Sequence, residues 1–197
     1  MYLFGASGHG KVIAEIAESN NLKIDGFIDT DINKTTLLGY DVFHKGPEEP
    51  LEIIIAIGNN EVRKRIVKDN TLFAYPTLVS PNAYISRRSV LGIGTVIMAG
   101  VSINTDASIG QHCIINTNAS VDHDCVIGDF VHLSPNVALA GNVYVGEGTH
   151  VGIGACVIQG INIGKWCTIG AGAVVIKDIP DGCTVVGNPG RIIKRKL

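Results

Sequence analysis

A six-residue period runs without interruption through the second part of the sequence and limits the fold more than any other feature. A period of six is longer than one helical turn and fits a short strand followed by a turn. Three such units would close one triangular coil with aliphatic side chains inside. At a strand spacing of ~4.8 Å, residues 79–175 predict about 5.4 coils and a prism roughly 26 Å long. The repeating aliphatic positions are Val79, Ile85, Leu91, Ile97, Ile103, Ile109, Ile115, Val121, Ile127, Leu133, Leu139, Val145, Val151, Val157, Ile163, Ile169 and Val175.

The residue types between these positions support the same prism. Glycine is abundant, with 24 residues, whereas aromatic residues make up only 6% of a chain that is 46% hydrophobic. The position four residues after each aliphatic one is nearly always small, and Cys113, Cys125 and Cys167 occupy it. We therefore expect these thiols to pack in the core rather than to act as nucleophiles. The five cysteines form no CxxC pair and are odd in number, which argues against a zinc site and a disulfide scaffold.

The segment from residue 1 to residue 78 lacks the period and follows an α/β pattern. This order of elements predicts a small Rossmann-like parallel sheet. We place the boundary near Pro76–Pro81 and expect one domain over residues 1–78 and a β-helix domain with a C-terminal tail over residues 79–197. The predicted helices lie within residues 11–19 and at Glu61–Lys68, and the predicted strands are Tyr2–Phe4, Ile24–Ile28, Tyr40–Phe43, Leu51–Ile57 and Thr71–Tyr75.

A glycine-rich turn links the first predicted strand to the first helix. It reads GASGHG from Gly5 to Gly10, which is GxxGxG and not the dinucleotide-binding GxGxxG. Backbone N–H groups at the start of a helix attract phosphate. Asp29, at the end of the next predicted strand, is placed to accept a hydrogen bond from a ribose or a base edge. The alternative is a tight turn beside a solvated carboxylate, and a complete NAD site is not expected in so few residues.

Polar residues interrupt the aliphatic pattern most densely between positions 116 and 124. His123 follows the inward-facing Val121 by two positions, so its side chain is predicted on the outside of the prism. The flanking carboxylates would orient its imidazole and raise its basicity, as a general base near neutral pH requires. The alternative is a surface histidine beside two solvated acids. The cluster consists of Asn116, Asn118, Asp122, His123 and Asp124.

Two further histidines, His132 and His150, are separated by three repeats and should stack on neighbouring coils. The pair suggests a metal site, since imidazole is a common metal ligand. Metalloenzymes with this repeat use a closely spaced histidine pair, which this chain lacks, so we expect no metal. His112 and His44 have no evident partners and are predicted at the surface.

Charge and hydropathy argue against several classes of function. The 16 basic and 18 acidic residues give a net charge of −2, so no strong basic field is available for nucleic acid or an anionic membrane. The longest aliphatic run, Ile53–Ile57, is far too short to cross a bilayer. Met1 leads directly into the first predicted strand, without the regions of a secretion signal. We therefore expect a soluble cytoplasmic protein that neither binds nucleic acid nor inserts into a membrane.

The hexapeptide repeats resemble those of the left-handed β-helix acyltransferases. Nearly the whole chain is also similar, in the order and spacing of its motifs, to the sialic acid O-acetyltransferase-like family of nucleotide-sugar acyltransferases. The resemblance implies a left-handed β-helix, a homotrimer with active sites between neighbouring prisms, and acetyl-CoA as co-substrate. The motifs are GASGHG at 5–10, FIDTD at 27–31, IAIGNNEVRKRI at 55–66, INTNASVDHDCVIGDFVHLSPNVALAGNV at 115–143 and VVGNPGR at 185–191.

The resemblance also implies roles for single residues. His123 would be the general base, Asp124 would increase its basicity, and Asn116 and Asp122 would line the same site. The acetyl-CoA would lie near His132, Gly141, Ile153 and Ala171. The nucleotide sugar would be held by Ser7, Gly8, His9, Gly10, Asp29, Thr30, Gly58 and Asn59. Three positions depart from the family pattern: Thr30 replaces a second acidic residue, which leaves the acceptor nucleotide open, Asp124 replaces glutamate, and Gly190 replaces alanine.

The implied reaction is direct transfer of acetyl from acetyl-CoA to the 4-amino group of a UDP-linked 4-amino-4,6-dideoxy sugar, in bacterial glycan biosynthesis. His123 would take the proton and the N–H of Gly141 would stabilise the oxyanion. The alternatives are O-acetylation of sialic acid and N-acetylation of a GDP-linked amino sugar. A metal-dependent hydratase of the carbonic-anhydrase type or an inactive scaffold is a more distant alternative. Basic tail residues would either meet phosphates of coenzyme A or remain solvated: Arg191, Lys194, Arg195 and Lys196.

Overall fold

The computed structural model describes residues 1–46 and 51–195 and begins with a five-stranded sheet. In space the strands follow the order β3-β4-β2-β1-β5, and all neighbours are parallel except β3 and β4. The predicted parallel sheet is therefore present, with one antiparallel edge strand. Its elements are β1 (Tyr2–Phe4), α1 (Gly8–Ser19), β2 (Gly26–Ile28), β3 (Thr36–Leu37), β4 (Tyr40–Phe43), β5 (Ile53–Ile55) and α2 (Asn60–Asp69).

Two details of this sheet differ from the sequence prediction. The predicted strand Thr71–Tyr75 is wrong, since this segment contributes one isolated bridge, between Glu52 and Ala74. The edge strand β3 has no counterpart in the sequence prediction. It joins β4 through a turn in which Leu38 and Gly39 have φ of 53° and 82°. Two-residue hairpin turns require such positive φ values, but leucine is not a residue that signals them.

The second part of the chain is a parallel β-helix with three faces. Each strand pairs with the strand three repeats later, as in the register of Ser102 with Ser120, which confirms the predicted triangular coil. The first face holds Leu78–Val79, Val96–Ile97, Ile114–Ile115, His132–Leu133, His150–Val151, Thr168–Ile169, Cys183–Val186 and the antiparallel Arg191–Arg195. The second holds Tyr84–Ile85, Ser102–Ile103, Ser120–Val121, Ala138–Leu139, Cys156–Val157 and Val174–Val175. The third holds Val90–Leu91, Ser108–Ile109, Val126–Ile127, Tyr144–Val145 and Asn162–Ile163.

Left-handed backbone turns the chain at the successive corners of the prism from residue 94 to residue 172. Every sixth residue from Gly94 to Gly172 has a positive φ, between 52° and 71°. More than half of these positions are not glycine, and they include His112, Asp124 and Phe130. Inside the corners, the aliphatic residues and the buried thiols of Cys113, Cys125 and Cys167 form one continuous core, as predicted.

The N-terminal sheet packs on the first face of the prism. Val96, Met98 and Ile114 point outward from this face and join the core of the N-terminal part, together with Leu3 and Ile54. The same outward row continues from Val96 and Ile114 to His132 and His150 on the next coils. The two histidines therefore lie where the covered part of the first face ends. Among the described residues, no helix is long and apolar enough to span a membrane.

His112 is buried, so its predicted place at the surface is wrong. It is 3% exposed and stacks on the ring of Phe130 at 5.2 Å, with the ring of Tyr75 edge-on at 4.9 Å. Burial and, secondarily, the charge of Arg63 lower the pKa of His112 to about 4. The period places position 112 at a corner, where an exposed side chain is expected. Tyr75, which covers His112, lies before the repeat, so the period could not predict this burial.

Acid is expected to destabilise the fold partly through His112. The unfolded chain binds a proton at this residue below the ordinary pKa of 6.5, whereas the folded chain does so only near pH 4. The free energy of unfolding therefore decreases as the pH falls from about 6.5 to 4, and this histidine contributes roughly 3 kcal/mol of that loss. His112→Phe should reduce the loss, measured by urea unfolding at pH 7 and pH 4. Phenylalanine already occupies the equivalent left-handed position at Phe130. Equal losses in His112→Phe and in the wild type would contradict the assignment.

Candidate active site

His123 lies at the corner between the second and third faces, with 54% of its side chain exposed. Its Nδ1 is 2.7 Å from Oδ2 of Asp124. The left-handed backbone of Asp124, with φ of 60°, belongs to the corner itself, so the prism places the carboxylate beside the ring. The hydrogen bond to Asp124 and, next, the charge of Asp122 raise the pKa of His123. When Nδ1 donates to Asp124, Nε2 is left as the proton acceptor of this half-exposed ring.

Asp122 fixes the backbone that carries this histidine. Its Oδ1 accepts hydrogen bonds from the backbone N–H of His123 and from Nδ2 of Asn104, both at 2.8 Å. These two bonds, the one from Asn104 first, lower the pKa of Asp122 and keep it ionised. The structure thus brings together three of the predicted site residues, Asp122, His123 and Asp124.

Gly141 lies directly against the imidazole from the next coil. A Cβ added to this glycine would be 2.6 Å from both Cε1 and Nε2 of His123. Since Gly141 is outside the left-handed positions, space rather than backbone conformation demands glycine here. The carbonyl of Gly141 accepts a hydrogen bond from the N–H of Gly160.

Asn116 lies on the first face, in contact with His132 rather than with His123. Nδ2 of Asn116 is 3.2 Å from Nε2 of His132, whose Nδ1 is 3.2 Å from the carbonyl of Gly58. Burial, aided by the charges of His150 and Arg63, lowers the pKa of His132 to about 3, so the ring is neutral. The two bonds then place the proton on Nδ1, toward Gly58.

A row of three imidazoles follows the junction of the two parts of the chain. The rings of His132 and His150 stack at 4.9 Å, as predicted from their spacing of three repeats, and His9 is 6.4 Å from His132. Nε2 of His150 is 2.8 Å from Oγ of Ser134. Within the described residues, no three side chains of His, Cys, Asp or Glu are placed to hold a metal ion.

Asp29 connects the end of β2 to the glycine-rich loop. Its carboxylate accepts hydrogen bonds from the N–H of Ala6 at 2.9 Å and from Nζ of Lys34 at 2.8 Å. Burial alone would raise the pKa of Asp29, but the bonds from Lys34 and from backbone N–H groups lower it overall. With 13% of its side chain exposed, Asp29 is not the solvated strand end of the alternative interpretation.

The glycine-rich loop presents the start of α1 to solvent. Ser7, at the N-cap, makes no capping hydrogen bond with its side chain, and Ser7 and Gly8 are exposed. A Cβ added to Gly8 would meet nothing within 4 Å. At Gly10, in contrast, a Cβ would lie 2.3 Å from the carbonyl of Gly5, so this glycine serves the close turn. Thr30 is also exposed, next to Asp29.

A polar pocket of about 270 Å³ lies between the start of α2 and the first face. Gly58 and Asn59 line one side, with His150 and Trp166 on the other. Asn59 also caps α2, since its Oδ1 accepts a hydrogen bond from the N–H of Val62 at 3.0 Å.

Ile153 and Ala171, predicted near acetyl-CoA, lie at another corner of the prism, between the first and second faces. The N–H of Gly172 donates to the carbonyl of Ile153, whereas at the His123 corner the N–H of Asn142 donates to His123. Within one chain, Gly141 lies beside His123 at one corner, and Ile153 lies near Ala171 at another corner. The two pairs are therefore separate. The exposed tail residues 191–195 form a strand on the first face, and Lys196 lies outside the described residues.

Comparison with known proteins gives matches to both parts of the chain. The profile of the PglD N-terminal domain family matches residues 1–69. UDP-N-acetylbacillosamine N-acetyltransferase from Bacillus subtilis (strain 168) is 44% identical over 109 residues, 49% of this chain. That match spans 50%, about half, of the length of the curated relative.

Solved structures match along nearly the whole chain. The acetyltransferase domain of PglB from Neisseria gonorrhoeae FA1090, in complex with acetyl coenzyme A, is 38% identical with a TM-score of 0.91, covering 98% of each chain. PerB from Caulobacter crescentus, in complex with CoA and GDP-perosamine, is 36% identical with a TM-score of 0.92, covering 98% of this chain and 96% of that one. These matches confirm the predicted fold class, an N-terminal α/β sheet followed by a left-handed β-helix. The chain therefore belongs to the acetyl-CoA-dependent sugar N-acetyltransferases, within the wider family of nucleotide-sugar acyltransferases that its sequence resembles.

Proposed function

We propose that this protein transfers acetyl from acetyl-CoA to the 4-amino group of a UDP-linked 4-amino-4,6-dideoxy sugar of the bacillosamine type. The observation that carries the proposal is the pair His123–Asp124, with a half-exposed imidazole of raised pKa on the outside of the prism. A group that accepts a proton at this place suits attack by an amine. The relative from B. subtilis, which is named for such a sugar, supports UDP as the nucleotide.

The reaction needs one proton acceptor and no covalent enzyme intermediate. The amine nitrogen attacks the thioester carbonyl, forming the N–C bond, and His123 Nε2 takes the proton that the nitrogen loses. The tetrahedral oxyanion is stabilised by a backbone N–H, which we assign to Gly141 beside the ring. The C–S bond then breaks, and the thiolate of coenzyme A takes up a proton. Asp124 stabilises the imidazolium that forms between these steps, and Asp122 holds its backbone.

Residues 1–78 supply the binding site for the nucleotide in this proposal, and residues 79–197 supply the chemistry. The uncapped N-terminus of α1, with Ser7, Gly8 and His9, is suited to the diphosphate. Asp29 and Thr30 lie beside it for the nucleoside. Gly58 and Asn59 line the polar pocket that leads toward His150 and the prism.

The acetyl-CoA site is completed, in this proposal, by a neighbouring copy in a homotrimer. The corner with Ile153 and Ala171 and the corner with His123 and Gly141 are separate in one chain. When two prisms pack side by side, the His123 corner of one copy and the Ile153 corner of its neighbour can line one groove between them. His132 is the exception among the predicted acetyl-CoA residues, because its bonds to Asn116 and Gly58 place it at the junction with the N-terminal sheet.

A GDP-linked 4-amino sugar is the second candidate acceptor. The similar PerB structure holds GDP-perosamine, and its similarity covers 98% of this chain, whereas the similarity to the UDP-named relative covers 49%. Thiol release from acetyl-CoA, measured with a panel of UDP- and GDP-linked 4-amino sugars, decides between them. Turnover confined to UDP-linked sugars is the expected result. Turnover confined to GDP-linked sugars would replace the nucleotide, and no turnover with either would reject the proposed function.

The pH dependence of acceptor turnover should follow His123. The general base must be unprotonated, and the pKa of His123 is raised. As the pH is lowered, kcat/KM should therefore begin to decrease at a higher pH than it would with an ordinary histidine. Asp124→Asn removes the main cause of the raised pKa, so the acidic limb should shift to lower pH, with a lower plateau. Asp106→Asn, an exposed left-handed corner residue one coil earlier, is the matched control. An acidic limb that stays in place in Asp124→Asn would show that another group controls the profile.

A further inference from the structure

Arg63 is a fully buried cation at the junction between the N-terminal sheet and the prism. It lies on α2 and is 1% exposed. Burial lowers the pKa of its guanidinium to about 10, so the group remains charged at neutral pH. A buried charge is costly unless its hydrogen-bonding capacity is satisfied. The hydrogen-bond partners of Arg63 therefore indicate which parts of the chain it connects.

The guanidinium bonds to both parts of the chain at once. Its Nε donates to the carbonyl of His112 at 2.7 Å, and Nη2 donates to the carbonyl of Phe130 at 2.8 Å, both at the prism corner. Its Nη1 donates to the carbonyl of Ile57 at 3.0 Å, with Gly58 at 3.4 Å, in the loop before α2. None of these acceptors is a carboxylate. The side chain thus joins backbone to backbone across the junction.

Asn60 extends this contact to a third coil. Its Oδ1 accepts the second Nη2 bond of Arg63 at 2.8 Å, and its Nδ2 donates to the carbonyl of Gly148 at 3.0 Å. His112, Phe130 and Gly148 are equivalent left-handed corner positions on three successive coils. Their carbonyls are therefore spaced by one coil, ~4.8 Å along the prism axis. Arg63 and Asn60 thus bind the carbonyls of three successive coils, and we call this row of corner carbonyls the carbonyl ladder.

The same loop carries the acceptor-binding residues of the proposed function. Gly58, whose carbonyl lies near Arg63, also accepts from Nδ1 of His132, and Asn59 is the N-cap of α2. Movement of α2 along the carbonyl ladder, parallel to the prism axis, would shift this loop relative to His123, the proposed general base. We infer that Arg63 and Asn60 are positioning residues that set the height of the nucleotide-binding loops along the prism and thereby the affinity for the nucleotide sugar. This inference rests on the proposed function, which assigns acceptor binding to these loops.

Arg63→Lys tests the inference, because lysine keeps the charge but donates from a single atom and cannot span the loop and prism carbonyls together. Arg65→Lys, the same change on the exposed side of α2, is the matched control. We expect KM for the nucleotide sugar to rise about 10-fold or more in Arg63→Lys, since loops held at another height lose contacts with the acceptor and a 10-fold loss of affinity corresponds to about one hydrogen bond. KM for acetyl-CoA and kcat at saturating acceptor should remain within about 2-fold in both variants, and Arg65→Lys should match the wild type.

Asn60→Ala provides a milder second variant that leaves the cation in place. It removes the bond to Gly148 and one acceptor of Arg63, and it should raise the same KM by a smaller factor; it decides the question if Arg63→Lys does not fold. An unchanged acceptor KM in folded variants, or equal increases in both KM values, would overturn the inference. Wild-type protein that turns over no nucleotide amino sugar would instead reject the proposed function.

Discussion

His123→Ala is expected to lower kcat by about 10³-fold, in the range that loss of a general base produces. Within the described part of the chain, the carboxylates beside the ring are poor substitutes for the lost base. Asp122 still accepts the backbone N–H of residue 123 in this variant, and Asp124 is a carboxylate, which is by nature a weaker base than an imidazole. The pKa of Asp122 is lowered, so this carboxylate is a weaker base than the imidazole.

Acetyl-CoA should still bind to the His123→Ala protein. The ring lies on the outer side of the corner and supports no core packing, since half of it is exposed. Removing it should therefore leave the prism in place, together with Gly141, Ile153 and Ala171, the residues proposed for acetyl-CoA. Titration calorimetry should give a Kd for acetyl-CoA within about 2-fold of the wild type, because only chemistry that develops in the transition state is lost.

Gln159→Ala is the matched control for this variant. Gln159 is exposed and occupies the equivalent corner position two coils further on, so its removal tests whether any truncation of this corner affects turnover. We expect its kcat to equal that of the wild type. Turnover retained in His123→Ala would reject His123 as the base, and a comparable loss in Gln159→Ala would point to general damage of the corner.

The prism could be predicted in detail because every coil repeats the same physical requirement. Inward positions such as Val121 and Leu139 need aliphatic side chains at each step, so one chain supplies many copies of the same evidence. The stacking of His132 on His150 followed from the period alone. His123 and its two carboxylates stand out as candidate site residues because polar residues are rare within such a repeat.

Contacts between the two parts of the chain could not be predicted in the same way. Arg63 resembles any other cation of a basic helix in the sequence, and its acceptors are backbone carbonyls with no residue-type signal. His112 is covered by Tyr75, which precedes the repeat. Asn116 and His123 are close in sequence, which predicts one shared site, whereas the second face of the prism lies between them and Asn116 contacts His132.

Gly141→Ala is expected to lower kcat by up to about 10²-fold while changing stability little. The added methyl group would lie 2.6 Å from Cε1 and Nε2 of His123, which is closer than the atoms allow. The backbone at residue 141 accepts alanine, since its φ is outside the left-handed region. The half-exposed ring is therefore the part that moves, and it should swing outward and lose its bond to Asp124.

Two measurements distinguish this displacement from other effects of the methyl group. The pKa of His123, followed by NMR titration, should fall toward the ordinary value in Gly141→Ala, because the bond to Asp124 is the main cause of its elevation. In the His123→Ala background, Gly141→Ala should cause no further loss of kcat, since the group that it displaces is absent. Additive losses in this double-mutant cycle, or an unchanged pKa, would show that Gly141 acts independently of the ring. The N–H assigned to the oxyanion would then be the better explanation of its effect, since alanine keeps that N–H but can change its direction.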